Sequence, residues 1–260
     1  MTLRDTFGDI DIYVFDQLLR GRIPPTARVL DAGCGNGRNL VYLLRAGYDV
    51  QAVDADPAAV AFVRDLAAQI APTLPATNFR VEEIDALTVP DATIDVVMSS
   101  AVLHFARDTA HFERMVRRMW RALAPGGLFI CRLAASTGIE SRIVPATSAT
   151  SVASVTLGAS IASGESVASE ESRRPRVFSG AAASVLSNPS GATGVANSSI
   201  ASGRYLLPDG SERYLVTVRQ LVELTAQLGG ALVDPIKSTI VQDMRCMTTW
   251  IARASNDARG

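Results

Sequence analysis

The segment Gly33-Cys34-Gly35-Asn36-Gly37 constrains the fold of this chain more than any other feature. It follows a short apolar run, Arg28-Val29-Leu30, and leads into a helical pattern at residues 40–44. Glycines let a backbone turn tightly and approach a ligand, since no Cβ stands in the way. A glycine loop between a strand and a helix is a common ligand-binding arrangement in α/β proteins. The segment therefore predicts an α/β protein with a ligand site at this loop.

The spacing of the glycines distinguishes between cofactors. A nicotinamide-binding loop has the pattern GxGxxG, whereas the pattern here is GxGxG. Asp31 stands just before the first glycine, with only Ala32 between them. A carboxylate there suits a ligand with an ammonium group, because a pyrophosphate prefers an uncharged helix N-terminus.

Strand-like and helix-like segments alternate up to about residue 134. The predicted strands are 28–30, 49–53, 79–81, 94–98 and 128–133. Asp56-Pro57 and Asp108 are typical helix starts. Alternation at this spacing predicts a parallel sheet covered on both faces. Two later runs, 237–242 and 246–254, are close enough to pair antiparallel, and residues 205–216 have the pattern of a hairpin.

The composition changes between residues 141 and 203, where Ser, Ala, Thr and Gly dominate. Few large apolar side chains are available there to offset the entropy lost on ordering the chain. We therefore predict one domain over 1–260, with its core in 1–140 and 204–260 and a flexible insertion at 141–203. The two interpretations of the insertion are a long exposed loop without function, and a lid or partner-binding segment.

Composition also bears on partners and location. The formal net charge is −1 and no basic stripe is visible, which disfavours a nucleic-acid partner. Cys34, Cys131 and Cys246 are far apart and form no CxxC pair, a pattern typical of reduced thiols in the cytoplasm. We expect no signal peptide and no membrane span. Two histidines without a cluster of carboxylates predict no metal site.

Several of these segments together resemble a known family. Asp31–Gly37 is similar to motif I of the class I S-adenosylmethionine-dependent methyltransferases. Asp54 ends the second strand, where that family has the acid that accepts both ribose hydroxyls. Ile84-Asp85-Ala86 follows the third strand, where the family has an acid and a small residue near the adenine amine. Leu123–Gly127, before the fifth strand, is also typical of the family.

The resemblance covers residues 25–135 well and the terminal hairpin and strands loosely. It implies a Rossmann-like, doubly wound, mostly parallel seven-stranded sheet that ends in an antiparallel pair, and it implies S-adenosyl-L-methionine as the cofactor. The segment Gly37-Arg38-Asn39 is locally similar to small-molecule methyltransferases of the tellurite-resistance type. The implied cofactor-binding residues are Asp31, Gly33, Gly35, Asn36, Gly37, Asn39, Asp54, Ala55, Asp85, Ala86 and Ser99.

His104 is the candidate catalytic residue, because it follows the fourth strand at the edge where open α/β sheets bind ligands. It could accept a proton from a hydroxyl or amine acceptor; the alternative is a structural histidine hydrogen-bonded under the loop. His111 has the position of an ordinary helix residue. The candidate acceptor-binding residues are Tyr13, Tyr205, Arg213, Tyr214 and Arg245.

We therefore predict methyl transfer to a small-molecule acceptor. Enzymes that methylate DNA amino groups carry an Asn/Asp-Pro-Pro-aromatic run after the fourth strand, whereas this chain has Ser99-Ser100-Ala101-Val102. Two alternatives remain: a cofactor-binding module without turnover, and an NAD(P)-dependent oxidoreductase, which the glycine spacing disfavours. The sequence does not identify the acceptor and predicts no particular oligomeric state.

Overall fold

A large mixed sheet runs through the protein in the computed structural model, which describes residues 2–146 and 200–256. The helices are α1 (Leu3–Phe7), α2 (Ile12–Leu19), α3 (Val41–Arg45), α4 (Pro57–Ile70), α5 (Thr109–Ala122) and α6 (Val218–Gln227). The strands are β1 (Arg28–Ala32), β2 (Asp49–Asp54), β3 (Phe79–Val81), β4 (Ile94–Ser100), β5 (Leu123–Ala135), β6 (Val144–Pro145), β7 (Gly203–Leu206), β8 (Glu212–Leu215), β9 (Gly230–Leu232), β10 (Lys237–Val241) and β11 (Arg245–Ala254).

The order of the strands in the sheet is β10-β11-β5-β4-β1-β2-β3. The pairs formed among β1 to β5 are parallel, and β11 pairs antiparallel with both β5 and β10. The predicted α/β fold is confirmed, including the seven-stranded path and its antiparallel end. An eighth strand that we had not predicted, β9, pairs with the second half of β11, beyond the part that β10 covers.

Successive residues of the central strands enter two different apolar cores. Leu30 packs in a core with the α5 residues Phe112 and Trp120, whereas its neighbour Val29 packs in a second core with Val63 of α4. This follows from the strand geometry, in which neighbouring side chains point to opposite faces. Because both faces are covered, the strands are almost continuously apolar, as parallel strands usually are.

The helix starts follow the predicted capping chemistry. Asp56 accepts a hydrogen bond from Ala58 N and Asp108 accepts one from His111 N, so both predicted starts are confirmed. Asp11 caps α2 in the same way. Each carboxylate satisfies a backbone N–H that has no partner inside its helix. Among the described residues, no helix combines the length and apolar character needed to cross a membrane.

The predicted hairpin is present as β7 and β8, but it does not extend the large sheet. It forms a separate three-stranded sheet with β6. Because β6 pairs with β7, both ends of the predicted insertion, 141–146 and 200–203, take part in the fold. The predicted insertion is therefore shorter at both ends than 141–203. Its remaining residues, 147–199, lie outside the described residues. Their flexibility stays a prediction.

Candidate functional site

A cavity of about 1140 Å³ opens at the edge of the sheet where the parallel strands end. It lies over β1 and β4, on either side of the point where the strand order reverses. Ligands of open α/β sheets bind at such a point, because the connections leave it in opposite directions and open a crevice. The lining includes the glycine loop after β1, the loop after β4, the last residue of β10 and the beginning of β11.

The glycine loop is fixed to the end of β2. The backbone N–H groups of Gly33 and Cys34 both donate to the carbonyl oxygen of Val53, at 2.8 and 3.0 Å. Gly33 has a φ of 83°, and a Cβ added to it would lie 2.5 Å from Cγ2 of Val102. A side chain at this position would therefore meet both backbone strain and a steric clash.

Asp54 lines the cavity at the end of β2 with its carboxylate held in one orientation. One oxygen, Oδ2, accepts from Gly35 N at 2.8 Å, and the other, Oδ1, accepts from Asp56 N at 3.0 Å. Each carboxylate oxygen has a further lone pair. Asp54 is therefore placed to accept two more hydrogen bonds from a ligand diol.

Asp31 is a buried carboxylate without a hydrogen-bond partner. Its side chain is 1% exposed, and neither oxygen has a partner among the described residues. Burial raises the pKa of Asp31 to about 7; Asp54 adds to the rise, and the positive charge of Arg38 opposes it. An unpaired buried carboxylate is costly, so Asp31 would be stabilised by a cation at this loop.

Six of the predicted cofactor-binding residues line the cavity, and five do not. Those that line it are Gly33, Gly35, Asn36, Asn39, Asp54 and Ala55. Those that do not line it are Asp31, Gly37, Asp85, Ala86 and Ser99. Ser99 is fully buried and its hydroxyl donates to Ala32 O at 2.9 Å. Its neighbour Ser100 points to the opposite face and lines the cavity, as strand alternation requires.

Asp85 lies beside two arginines and the ring of His111 rather than at the cavity wall. Its Oδ2 is 3.5 Å from Nε2 of His111, 3.6 Å from Arg114 and 3.9 Å from Arg107. Nδ1 of His111 accepts from Arg107 N, which leaves the Nε2–H of that ring to face Asp85. The prediction that His111 is an ordinary helix residue was wrong, because its ring is buried and also lines the cavity.

His104 lines the cavity but has little basicity. Its ring is 8% exposed and its Nδ1 has no hydrogen-bond partner. Burial and then the positive charges of Arg213, Arg245 and Arg132 lower the pKa of His104 to about 4. The ring is therefore neutral near pH 7, well below the pKa that suits a general base. Within residues 2–146 and 200–256, Nδ1 has no hydrogen-bond partner that would support the alternative of a histidine hydrogen-bonded under the loop.

Only Arg213 and Arg245 of the candidate acceptor-binding residues line the cavity. Tyr214 is fully buried, stacks on Phe112 and hydrogen-bonds Thr109. The hydroxyl of Tyr205 donates to the backbone of the same segment. Tyr13 packs outside the cavity, where its hydroxyl lies 3.3 Å from Thr239 Oγ1. These three tyrosines satisfy their hydroxyls within the fold, so the structure does not bring them together with the other candidates.

The sequence analysis missed a buried charged cluster around Asp11, which we call the Asp11 cluster. Asp11 Oδ2 accepts from Arg38 at 3.2 Å, from Ser100 at 2.9 Å and from Arg132 at 3.2 Å. The backbone N–H of Asp11 donates to Asn39. The cluster connects α2 to the glycine loop, β4 and β5. No local signal could reveal it, because its members are separated by up to 121 positions.

Comparison with known proteins agrees with this geometry. Residues 30–131 match a family described as a methyltransferase domain. A probable S-adenosylmethionine-dependent methyltransferase of Mycobacterium tuberculosis is 34% identical over 156 residues, which are 56% of this chain and 53% of that protein. A similar protein of Mycolicibacterium smegmatis is 32% identical over 121 residues, 45% of this chain and 43% of that protein. The chain thus spans about half the length, or less, of the curated relatives it matches.

Solved structures show the same fold. The 1,6-didemethyltoxoflavin-N1-methyltransferase of Burkholderia thailandensis, solved with 1,6-didemethyltoxoflavin and S-adenosylhomocysteine, has a TM-score of 0.57 at 17% identity over 96% of this chain and 79% of its own. A methyltransferase of Methanosarcina mazei has a TM-score of 0.55 at 17% identity over 92% of this chain and 98% of its own. The matched domain, the relatives and the shared fold thus make residues 30–131 similar to a methyltransferase domain and give the chain the fold of solved methyltransferases.

Proposed function

We propose that the protein transfers a methyl group from S-adenosylmethionine to a small-molecule acceptor. The observation that carries the proposal is the pair of carboxylates at the glycine loop. Asp31 is buried without a partner, and Asp54 lines the cavity in a fixed orientation. A cofactor with an ammonium group and a ribose diol would satisfy both.

The two acids would bind different parts of the cofactor. Asp54 would accept the ribose hydroxyls on its remaining lone pairs. Asp31 would compensate the ammonium group, and the bare backbone of Gly33 and Gly35 would allow close approach. Asp85 would lie near the adenine end only after a rearrangement of its present cationic neighbours, so its predicted role is the least supported of the set.

When bound, S-adenosylmethionine supplies an electrophilic methyl group whose bond to sulfur breaks, with the electron pair left on sulfur, as a nucleophilic acceptor atom binds the carbon. The protein then has three tasks: to align the acceptor, to exclude water and to let a proton leave where the acceptor is a hydroxyl or amine. The neutral ring of His104 can accept a hydrogen bond from such a group. Its low basicity favours positioning over proton removal.

Two alternatives from the sequence remain distinguishable. A module without turnover would bind the cofactor and methylate no acceptor. An oxidoreductase would bind a nicotinamide cofactor, which a buried, unpaired carboxylate under the loop disfavours, because a pyrophosphate is negatively charged.

Calorimetric titration of S-adenosylmethionine, S-adenosylhomocysteine and NADH tests the proposal. We expect micromolar binding of the first two ligands by the wild type and at least a 10-fold loss in Asp54→Ala, since both charge-assisted hydrogen bonds disappear. Asp91→Ala is the matched control, because Asp91 is a surface acid that pairs with Arg121. Saturable NADH binding without binding of either methionine derivative would refute the proposal.

A cytoplasmic location is part of this proposal. The three cysteines are all buried and unpaired, which fits a reducing compartment. Burial raises the pKa of Cys34 and Cys131 far above the usual thiol range, so neither is a reactive thiolate at neutral pH.

A further inference from the structure

The cavity carries opposite charges at its two ends. Carboxylates line it beyond β2 and β3, whereas arginines line it beside β5, β8 and β11. The residues are Asp54, Glu82 and Glu83 at one end and Arg132, Arg213 and Arg245 at the other. Since β1, β4 and β5 separate β2 from β11, the ends are roughly 19 Å apart at about 4.8 Å per strand. The arginine end therefore lies well away from Asp54, beside the part of the cavity left for an acceptor.

The three arginines differ in their partners. Arg132 lies 3.2 Å from a carboxylate oxygen of Asp11, and Arg245 lies 3.2 Å from one of Asp209. Arg213, in contrast, takes part in no ion pair within residues 2–146 and 200–256. Hydrogen bonds from Ser211 and then the charges of Arg245 and Arg213 lower the pKa of Asp209, so this carboxylate compensates Arg213 only from beyond ion-pair distance.

The guanidinium group of Arg213 is held in place by contacts other than an ion pair. Its Nη1 donates to Glu212 O at 2.8 Å, and its Cζ lies 4.8 Å from the centre of the Phe105 ring. Stacking on an aromatic face and a backbone hydrogen bond restrict the rotamers of an arginine and leave its other N–H groups available. Phe105, Val102 and Met247 line the cavity near it and give this end an apolar wall.

The positive charges act on the same point in the cavity. Arg213, Arg245 and Arg132 each lower the pKa of His104, after the larger effect of burial. Their fields therefore overlap at this histidine, although they come from three different strands. A ligand anion bound here would be attracted by all three arginines and would pair directly with Arg213, the one of the three that forms no ion pair within the described residues.

We propose that the methyl acceptor is an organic acid whose carboxylate pairs with Arg213 and whose apolar body packs on Phe105. This inference rests on the proposed function and names the substrate class of the same site. A carboxylate matches the two parallel N–H groups of a guanidinium fork. A phosphate is less suited, because phosphate sites commonly use backbone N–H groups at a helix N-terminus, whereas the donors here are side chains on strands.

Binding of three probes to the protein saturated with S-adenosylhomocysteine tests the inference: 3-phenylpropanoate, its neutral analogue 3-phenylpropanamide, and inorganic phosphate. We expect the carboxylate to bind at least 10-fold more tightly than the amide and than phosphate. Arg213→Gln should remove that preference, and Arg213→Lys should restore only part of it, because a lysine keeps the charge but not the fork. Arg219→Gln is the matched control, since Arg219 is exposed on α6 and pairs with Glu223.

The other outcomes overturn the inference. They are equal binding of acid and amide, tighter binding of phosphate, and acid binding that Arg213→Gln leaves unchanged. Thermal unfolding of each variant checks that the fold persists.

Titration of S-adenosylhomocysteine into the same variants separates this inference from the proposed function. Arg213→Gln should leave its affinity within about 3-fold of the wild type. A larger loss would assign Arg213 to the cofactor carboxylate and would also overturn the inference. Absence of S-adenosylhomocysteine binding by the wild type would instead refute the proposed function, whatever the acid probes show.

Discussion

At the scale of single residues, the site has two buried titratable groups whose pKa values move in opposite directions, one under the glycine loop and one at the cavity wall. Burial raises the pKa of Asp31 to about 7 and lowers the pKa of His104 to about 4. In both cases the low-polarity surroundings disfavour the charged form. The acid therefore carries its charge only near and above neutral pH, whereas the histidine is uncharged there.

The raised pKa of Asp31 predicts opposite pH dependences for ligand binding and stability. Between about pH 4 and pH 7 the folded protein retains a proton that the unfolded chain releases, so the free energy of unfolding should fall as pH rises, by up to about 1.4 kcal/mol per pH unit. S-Adenosylhomocysteine affinity should rise over pH 6–8, because only the ionised carboxylate compensates the ammonium group. Urea denaturation at four pH values measures the free energy of unfolding, and calorimetry at the same pH values measures the affinity.

Asp31→Asn is the control for that prediction. The variant should lose both pH dependences, bind S-adenosylhomocysteine at least 10-fold more weakly and be more stable than the wild type at pH 8 by about 1–3 kcal/mol. A wild-type affinity that is constant between pH 5.5 and pH 8 would contradict the assigned role of Asp31.

The lowered pKa of His104 predicts that its imidazole stays neutral down to about pH 5. The chain has two histidines, so NMR of the ring signals in the wild type and in His111→Gln assigns each. Arg213→Gln should raise the pKa of His104, because the charge of Arg213 lowers that pKa more than any other charge does. Arg219→Gln should leave the pKa unchanged. A midpoint near 6.5 in the wild type would contradict the burial and charge argument.

At the scale of elements, the Asp11 cluster holds α2 against three parts of the sheet edge. One carboxylate caps α2 through Tyr13 N and also accepts from Arg38, Ser100 and Arg132. Because Arg132 and Ser100 line the cavity as well, the position of α2 and the shape of the site are set by the same contacts.

Asp11→Ala should lower the free energy of unfolding by about 2–3 kcal/mol, because it removes the buried carboxylate that accepts charge-assisted hydrogen bonds from two part-exposed arginines. The matched control is Asp9→Ala, which should cost less than about 1 kcal/mol, because the ion pair of Asp9 within the described part of the chain is an exposed one with Arg4. Urea denaturation of the two variants measures the difference. Equal losses would show that the cluster does not stabilise the fold.

At the scale of the whole molecule, the two apolar cores and the large sheet are built from residues on both sides of 147–199. β6 lies before that segment, β7 lies after it, and the two strands pair directly. The chain therefore re-enters the fold close to the place where it leaves.

We predict that a short Gly/Ser linker can replace residues 147–199 without loss of S-adenosylhomocysteine binding. The paired ends need only a short connection, and a shorter loop loses less entropy on closure, by about 0.6 kcal/mol for each halving of its length. The midpoint of thermal unfolding should stay equal or rise. If the protein with the linker fails to fold, the prediction that the segment is an insertion without a role in the core is refuted.

The sequence predicted the main strands and their mostly parallel direction because its signals are local. The glycine loop, the capping aspartates at 56 and 108 and the apolar runs at 49–53 and 94–98 each fix the backbone over a few residues. Connections between parallel strands are restricted, so these elements allow few topologies. β9 was missed because three residues with mixed exposure carry no clear alternation.

Some of the predicted site residues line the cavity and others do not, because the sequence signals are local. Asp54 and the glycines stand at strand ends, where position in the chain implies position at the cavity. Arg213 and Tyr214 are neighbours on β8 that point to opposite faces, and only the packing of the hairpin on α5 decides which of them reaches the cavity. Ser99 and Ser100 differ in the same way.

The sequence alone thus determined the fold, the glycine loop and the two acids that flank it. These features follow from local motifs and from the periodicity of apolar residues along the chain. Tertiary structure decided the Asp11 cluster, the low basicity of His104 and the arginine end of the cavity. These properties depend on burial and on charges that come from strands distant in the chain, such as Arg132 and Arg213. Because electrostatic effects grow as water is excluded, they become defined only when the fold brings these groups together.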